Sequence, residues 1–355
     1  MERERSHPAT MSDVARHAGV STATVSRALS GGDRPMSPDL RRRVTLAAEE
    51  LGYRINLVGR TLRRRSSSTV GMIVPDLDNP FFSSLAQALS RRFESSDIDL
   101  LLFSADSDLA IERRGVQSFL GRQVDALVII ASHERDSAST IDIASRSVLT
   151  IALDRRVPSA TARFVGCNNK YGMQLVHEHV ANDVDIRLQP VVFVGGDMGS
   201  SSGRERLTGF RHWFGDEPPA LLGSFDVAWG QRAADLLLTD GMTTGTVVAA
   251  ADVIALGLLS RLQTRGFQVP GDFRVIGFDG IGVSYLAHPT LTTVRQPVEQ
   301  MSQQILDLVL AGTAEATRGR VQARARTIRP ALVLGESSPT RDHHGTGATQ
   351  GRALP

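Results

Sequence analysis

Apolar positions recur at helical spacing through the first fifty residues and then, from residue 69 onward, fall into short unbroken runs. Thr10 followed by Asp13 has the S/T-x-x-D/E form of a helix start, and Val14, Ala15 and Ala18 then share one helical face. Gly19 stops that helix. Ser21 can cap a second, in which Val25, Ala28 and Leu29 point inward while Thr22, Ala23, Ser26 and Arg27 share the opposite face. Ser37-Pro38 has the N-cap and N1 chemistry of a third, with Leu40, Val44, Ala47, Ala48 and Leu51 as its buried stripe. Three short helices, the first two joined by a tight Gly turn, describe a helix-turn-helix.

The later runs are strand-like: VGMIV (70–74), LLLF (100–103), ALVII (126–130), VLTIA (148–152), VVFVG (191–195), TVVAA (246–250) and RVIGF (274–278). Most intervals between them hold one crossover helix, as parallel βαβ units require. The interval between the fourth and fifth runs is longer, and its RFVGCNN does not read as a clean helix, so more than one sheet is expected. The last twenty residues are rich in Ser, Thr, Gly and Pro and read as a disordered tail.

At 355 residues the chain has room for two or three domains with apolar cores. Nearly all its basic residues are Arg, Lys170 being the one Lys. A single cysteine, Cys167, excludes an internal disulfide, and no apolar run is long enough to span a bilayer. The charged opening MERERSHPAT lacks the apolar core of a signal peptide. Together these point to a reducing, cytoplasmic setting. Charge is unevenly spread: residues 1–69 hold 13 Arg against 7 Asp plus Glu, although the whole chain carries only +2. Such asymmetry suits an amino-terminal part that meets a polyanion.

In a DNA-binding helix-turn-helix the second helix lies in the major groove with its first residues facing base edges. Thr22, Ala23 and Arg27 are then the base readers: Thr bonds a base edge or touches a thymine methyl, Ala makes apolar contact, and Arg suits guanine. Ser21, Thr24 and Ser26 are short hydroxyls placed for phosphate oxygens, which position without reading sequence. On spacing alone, a generic three-helix bundle stays open.

The segments SDVARHAGVSTATVSRAL, VTLAAEELGYRIN and GRTL resemble the amino-terminal signature of the lactose and galactose repressor family. VGMIVPDLDNPFF is similar to that family's first core strand, and VIGFDG and LTTVRQP extend the resemblance over residues 10–337. It implies an all-α headpiece (10–55), a hinge (56–66), and an α/β core (67–338) of two Rossmann-like lobes of the periplasmic-binding-protein type. The first lobe would take about 67–166 and 296–324, the second about 167–295 and 325–338, and the tail 339–355. It further implies a homodimeric repressor on a palindromic operator at the nucleoid, controlled by a small ligand, with no cofactor or metal and no membrane partner. The tail lacks the leucine heptads that would tie two dimers into a tetramer.

By the same resemblance Asn56, Gly59, Arg60 and Leu62 form the hinge and its minor-groove contacts, Leu62 being the apolar wedge at the central base step. So short a segment is marginal as an isolated helix, and Gly59, where relatives usually have Ala, costs roughly another 1 kcal/mol. Such a hinge becomes helical on DNA beside its dimer mate. Ile55 stands where Pro often precedes the hinge Asn.

The ligand cleft is expected at the carboxyl ends of the strands. The resemblance places there Asp76, Phe81 and Phe82, then Asp154 and Arg155, then Ser202, Arg206, Phe225, Asp279 and Gln296. Carboxylates and Arg bond hydroxyls directionally, and an aromatic ring covers a sugar face or stacks on a base. The mix suits a sugar better than a purine or nucleoside. Ala251-Asp252 replaces the family's usual Asn-Asp, and CNNK (167–170) stands where DN is usual, leaving Asn168 uncharged.

A competing reading is enzymatic. GSSSG (199–203) matches the G-x-S-x-G elbow of α/β-hydrolases, with Ser201 as nucleophile and Asp279 and His288 following in order. Its context is poor, because GDM separates the fifth run from the motif, whereas the elbow turns directly from strand to helix. No dinucleotide fingerprint, P-loop or clustered Cys/His spacing occurs. His177 and His179 read as helix-surface residues. An exported sugar-binding protein would need a signal peptide and would give the headpiece no purpose.

Overall fold

The computed structural model describes residues 9–29, 36–53, 67–159, 161–183, 189–315 and 325–339. Two units result, divided between Ser67 and Ser68.

The headpiece is built from α1 (Met11–His17), α2 (Thr22–Leu29) and α3 (Pro38–Glu50). Thr10 and Asp13 form a reciprocal capping box, the Asp13 N–H donating to Thr10 Oγ1 and the Thr10 N–H to Asp13 Oδ2. Gly19 takes φ +63°, a conformation only glycine adopts cheaply, and turns the chain into α2. Ser37 Oγ accepts the Leu40 N–H at 3.3 Å and starts α3 behind Pro38. Val14, Ala15 and Ala18 meet Val25 and Ala28 of α2 and Val44, Ala47 and Ala48 of α3 in one small core. His17 and Glu50, 2.8 Å apart, join α1 to α3 at its rim.

The larger unit holds two six-stranded sheets. The first is made of β1 (Thr69–Val74), β2 (Asp99–Ser104), β3 (Ala126–Ile129), β4 (Leu149–Leu153), β5 (Arg163–Cys167) and β11 (Ala325–Ile328), in the order β11-β5-β4-β3-β1-β2. The second is made of β6 (Val191–Gly195), β7 (Ala220–Leu222), β8 (Gly245–Ala249), β9 (Phe273–Asp279), β10 (Thr292–Arg295) and β12 (Ala331–Val333), in the order β12-β10-β9-β8-β6-β7. All pairings are parallel except that of β12 with β10. Both sheets repeat the doubly wound order 2-1-3-4-5, which reverses direction between β1 and β3 and again between β6 and β8.

Helices α4 (Pro80–Glu94), α5 (Leu109–Gly121), α6 (Ala138–Ser147) and α11 (Val298–Glu315) serve the first lobe. The second lobe has α7 (Asn169–Asp183), α8 (Ser201–Phe214), α9 (Val227–Thr239) and α10 (Asp252–Thr264). Helices on both faces bury the central strands completely: every residue of β3, β5, β6, β8 and β9 is inside, hence the unbroken apolar runs. Helices α9 and α10 approach so closely that a Cβ on Gly230 would overlap the Ile254 carbonyl oxygen, and one on Gly257 that of Val227.

All seven apolar runs form strands. RFVGC is a further one, β5, which explains the long interval around it. Four more strands, β7, β10, β11 and β12, have three or four residues each, too short to show a period. One of them shifts a boundary. Residues 325–328 pair with Phe164–Cys167 in the first sheet, so the last crossing between lobes falls at 329–330 and not at 324/325. The other crossings lie beside Cys167 and between Arg295 and Val298. No helix among the described residues is long and apolar enough to cross a membrane.

The histidine reading needs correction. His179 is buried, its Nε2 lies 2.9 Å from Ser338 Oγ, and burial together with Arg274 pushes its pKa down. His177 is half-buried, stacked on Trp213 and edge-on to Phe214. Helix α7 packs on α8 and β12, so it presents fewer open positions than a surface helix.

Candidate functional site

On α2, Val25 and Ala28 turn into the headpiece core while Thr22, Ala23 and Arg27 are exposed together on the far side. Ser21 Oγ accepts the Thr24 N–H at 3.1 Å and lies 2.9 Å from the Thr24 hydroxyl, so these two side chains organise the first turn. Ser26 is half-buried. Arg41, Arg42 and Arg43 of α3 are exposed and add positive charge to the unit. Asn56, Gly59, Arg60 and Leu62 lie outside the described residues.

In the core, the two switch points face one cavity of about 720 Å³. It receives Asp76 from beyond β1, Ser132 from beyond β3, Asp197 from beyond β6 and Phe225 from beyond β7. Of the expected ligand residues, Asp76, Arg155 and Phe225 line it. Arg155, 7% exposed, donates through Nη1 to the Ala131 and Ser132 carbonyls at 3.0 and 3.2 Å and lies over the Phe82 ring at 5.5 Å. Burial lowers the pKa of this guanidinium, while Asp154, Asp76 and Asp197 act to raise it. Asp154 itself is buried, takes φ +59°, and leaves Oδ1 without a partner among the described residues.

Arg206, Asp279 and Gln296 are buried, do not line this cavity, and hold one another. Arg206 Nη1 donates to Asp279 Oδ1 (3.0 Å) and to the Ala250 carbonyl, its Nε donates to Asn169 Oδ1 (3.0 Å), and its guanidinium sits 3.8 Å above the Phe278 ring. Gln296 Nε2 donates to the same Asp279 oxygen at 2.8 Å. Asn169 and Gln296 stand at two of the three lobe crossings, so this network clamps both to the ends of β8 and β9. Asn169 Nδ2 also reaches Glu205 Oε2 (2.8 Å), whose other oxygen takes Arg156 Nε (3.0 Å) of the first lobe. Ser202 is buried beside Ser200, their hydroxyls 2.8 Å apart, and is not in the lining of the 720 Å³ cavity.

Phe81 and Phe82 form a tilted pair in the first lobe's core. Phe81 reaches a second cavity of about 470 Å³ with Asp279, Gln296 and Arg295. A third cavity, about 460 Å³, opens between Arg156, Lys170 and Glu205. Residue types alone did not single out Ser132, His133, Asp106, Asp197 or Asp226. Their positions just past strand ends are the signal that would have found them.

Asp252, fully buried, accepts from the Ile281 N–H (2.8 Å), Ser284 Oγ (2.9 Å) and Thr293 Oγ1 (2.5 Å), and so fixes the turn after β9. Burial raises its pKa to about 6, and that of Asp279 to about 7 despite Arg206. Both folded values exceed the ordinary 3.8, so the folded core binds more protons than the unfolded chain in between. Stability is therefore expected to fall as pH rises through that window. Asp279→Asn should remove the larger part of the slope, which thermal unfolding across the same range reads directly.

Ser201 Oγ accepts the Arg156 N–H at 2.6 Å from the first turn of α8. Asp279 is engaged by Arg206 and Gln296, and His288 is exposed, so the three residues of the hydrolase reading are not assembled.

Residues 10–56 match the model described as bacterial regulatory proteins, lacI family, and residues 187–338 that of a periplasmic binding protein-like domain. The HTH-type transcriptional regulator AscG of Escherichia coli (strain K12) is 33% identical over 309 residues, 84% of this chain and 90% of that protein. The chain belongs to the lacI family of bacterial regulatory proteins. Among solved structures, this lacI-family chain is similar to a Lac repressor dimer bound to operator and an anti-inducer. The TM-score there is 0.79 at 24% identity, over 94% of this chain and 100% of that one. It is also similar to the complex of the transcriptional regulator CelR with cellobiose (TM-score 0.67, 26% identity, 93% and 99% covered). Within this lacI-family regulator, Ala251 starts α10 without a side-chain cap, and Ala250 gives its carbonyl to Arg206, so no amide projects there.

Proposed function

We propose that this regulator represses transcription in the cytoplasm by binding a palindromic operator as a homodimer, and that a sugar held between the lobes sets its affinity. The observation that carries the reading is the convergence of both switch points, with Asp76, Arg155 and Phe225, on a single cavity of about 720 Å³. Cellobiose in the CelR complex supports a sugar over a purine as the ligand. Thr22, Ala23 and Arg27 read bases, and Ser21, Thr24 and Ser26 hold phosphates. Asn56, Gly59, Arg60 and Leu62 enter the minor groove. Ligand closure of the lobes changes the spacing of the paired hinges, and the protein performs no covalent chemistry.

Coupling of about 1–3 kcal/mol corresponds to a roughly five- to 150-fold change in operator affinity. Operator duplexes selected from a random pool, titrated with the full chain in the presence of mono- and disaccharides, measure it. An affinity identical with every sugar would sink the effector part. Arg27→Ala should cost about 1–3 kcal/mol of discrimination at one base pair. Unchanged discrimination across single-base operator variants would remove it from the reading set. A Ser201-dependent ester hydrolysis would overturn the non-enzymatic reading.

A further inference from the structure

The cleft mouth carries six carboxylates, from Asp76, Asp78, Asp106, Asp136, Asp197 and Asp226. Against these six the lining sets one guanidinium, that of Arg155, which Asp76 and Asp197 already share with Asp154, and His133, 3.0 Å from Asp136. Several of the carboxylates have one oxygen tied to the backbone. Asp76 Oδ1 takes the Asn79 N–H (2.9 Å), Asp197 Oδ1 that of Gly199 (2.9 Å) and Asp226 Oδ1 that of Trp229 (2.6 Å). Those bonds fix the side chains and leave each a second oxygen, and an ionised carboxylate only accepts. The rim therefore asks for donors and for positive charge.

The floor is different. Ser132 is 6% exposed, lines the cavity, and its hydroxyl has no partner among the described residues. The Nε of the 93%-buried Arg155 is likewise unpaired. Neither of these two atoms has surface open to the cavity, so the hydroxyls of a sugar are met instead by the free second oxygens of Asp76 and Asp197, which accept from them. Glu112, fully buried, accepts the Ser132 N–H at 2.7 Å and adds a further carboxylate. Among the described residues no His, Cys, Asp and Glu group is arranged to hold a metal ion, so the rim is not a metal site in this geometry.

We propose that the effector is an amino sugar, with ring hydroxyls donating to the free oxygens of Asp76 and Asp197 and a protonated amine among the remaining rim carboxylates. An ammonium offers three donors and one positive charge, which a neutral sugar cannot. The inference rests on the reading of this cleft as the sugar site.

The test is calorimetric titration of the full chain with matched pairs: glucosamine against glucose, and fully deacetylated chitobiose against cellobiose, with the amines protonated. The amino member of a pair should bind at least about tenfold tighter at low salt, with the advantage shrinking as salt screens the rim. The combined variant Asp78→Asn, Asp106→Asn, Asp226→Asn should abolish most of that advantage. Asn caps a helix nearly as well as Asp and tolerates the φ of +50° at position 106, so the fold is kept. Neutral sugars binding as tightly as their amino partners would overturn the amine and leave the sugar site standing. Failure of every sugar, neutral or amino, would overturn both. Spermidine binding as tightly as the amino sugars would overturn the sugar half of the proposal.

Discussion

Gly257→Ala is expected to lower the unfolding temperature of the core by about 5 °C, whereas the same change at Gly121 should raise it slightly. At position 257 the new methyl meets the Val227 carbonyl oxygen across the α9–α10 contact, and backbone cannot step aside as a side chain can. The helices must separate along their length, uncovering Val253, Ile254 and Leu258, all buried in the second lobe. Overpacking of this kind costs about 3 kcal/mol, against which the gain of roughly 1 kcal/mol in helix propensity is too small. At position 121, which ends α5, a Cβ meets nothing, so only the gain remains. Thermal scans of both variants decide the matter: equal shifts at 257 and 121 would remove the close helix contact as a cause.

Above pH 7, where Asp279 is ionised, Arg206→Met should cost about 3–5 kcal/mol, because it strips a buried carboxylate of its cation. Asp279 would keep only the Gln296 donor, and the Ala250 carbonyl and Asn169 Oδ1 would lose theirs. The double variant Arg206→Met, Asp279→Leu should recover much of that loss, since removing both charges also removes their desolvation cost. Effector response should not recover with it. Arg206 links Asn169 and Gln296 at two lobe crossings, and through Glu205 the network continues to Arg156 of the other lobe. Thermal unfolding and sugar-dependent operator binding, measured on the single and double variants, separate the two roles. A double variant that regains both stability and response would show the network to be structural only.

How far the cleft can be read from the chain depends on the kind of residue. Arg206, Asp279 and Gln296 are legible through the resemblance, but nothing along the chain signals that they bond one another or that Asp279 and Gln296 line a different cavity from Asp76. Phe81 and Phe82 were expected at the ligand and lie in the core, Phe81 alone reaching a cavity lining. Asp197 and Ser132 carry no motif, and only strand order makes them neighbours of Asp76. The polar wall is thus a product of topology, its members contributed by the loops after β1, β2, β3, β4, β6 and β7.

By itself the sequence determined what local chemistry can decide. The Thr10–Asp13 box, the Gly19 turn, Ser37-Pro38 and the spacing of Val25 and Ala28 suffice for three helices with Thr22, Ala23 and Arg27 outward. Unbroken apolar runs suffice for the seven main strands; six are buried on both faces and so must be apolar throughout, while β2, at a sheet edge, stays partly exposed. Tertiary structure alone decided the pairing of residues 325–328 with β5, the burial of His179 against Ser338, and the meeting of two switch points at one cavity. Each of these joins residues far apart in the chain through backbone bonds, a side-chain contact or a shared void, and none of these leaves a periodic trace along the sequence.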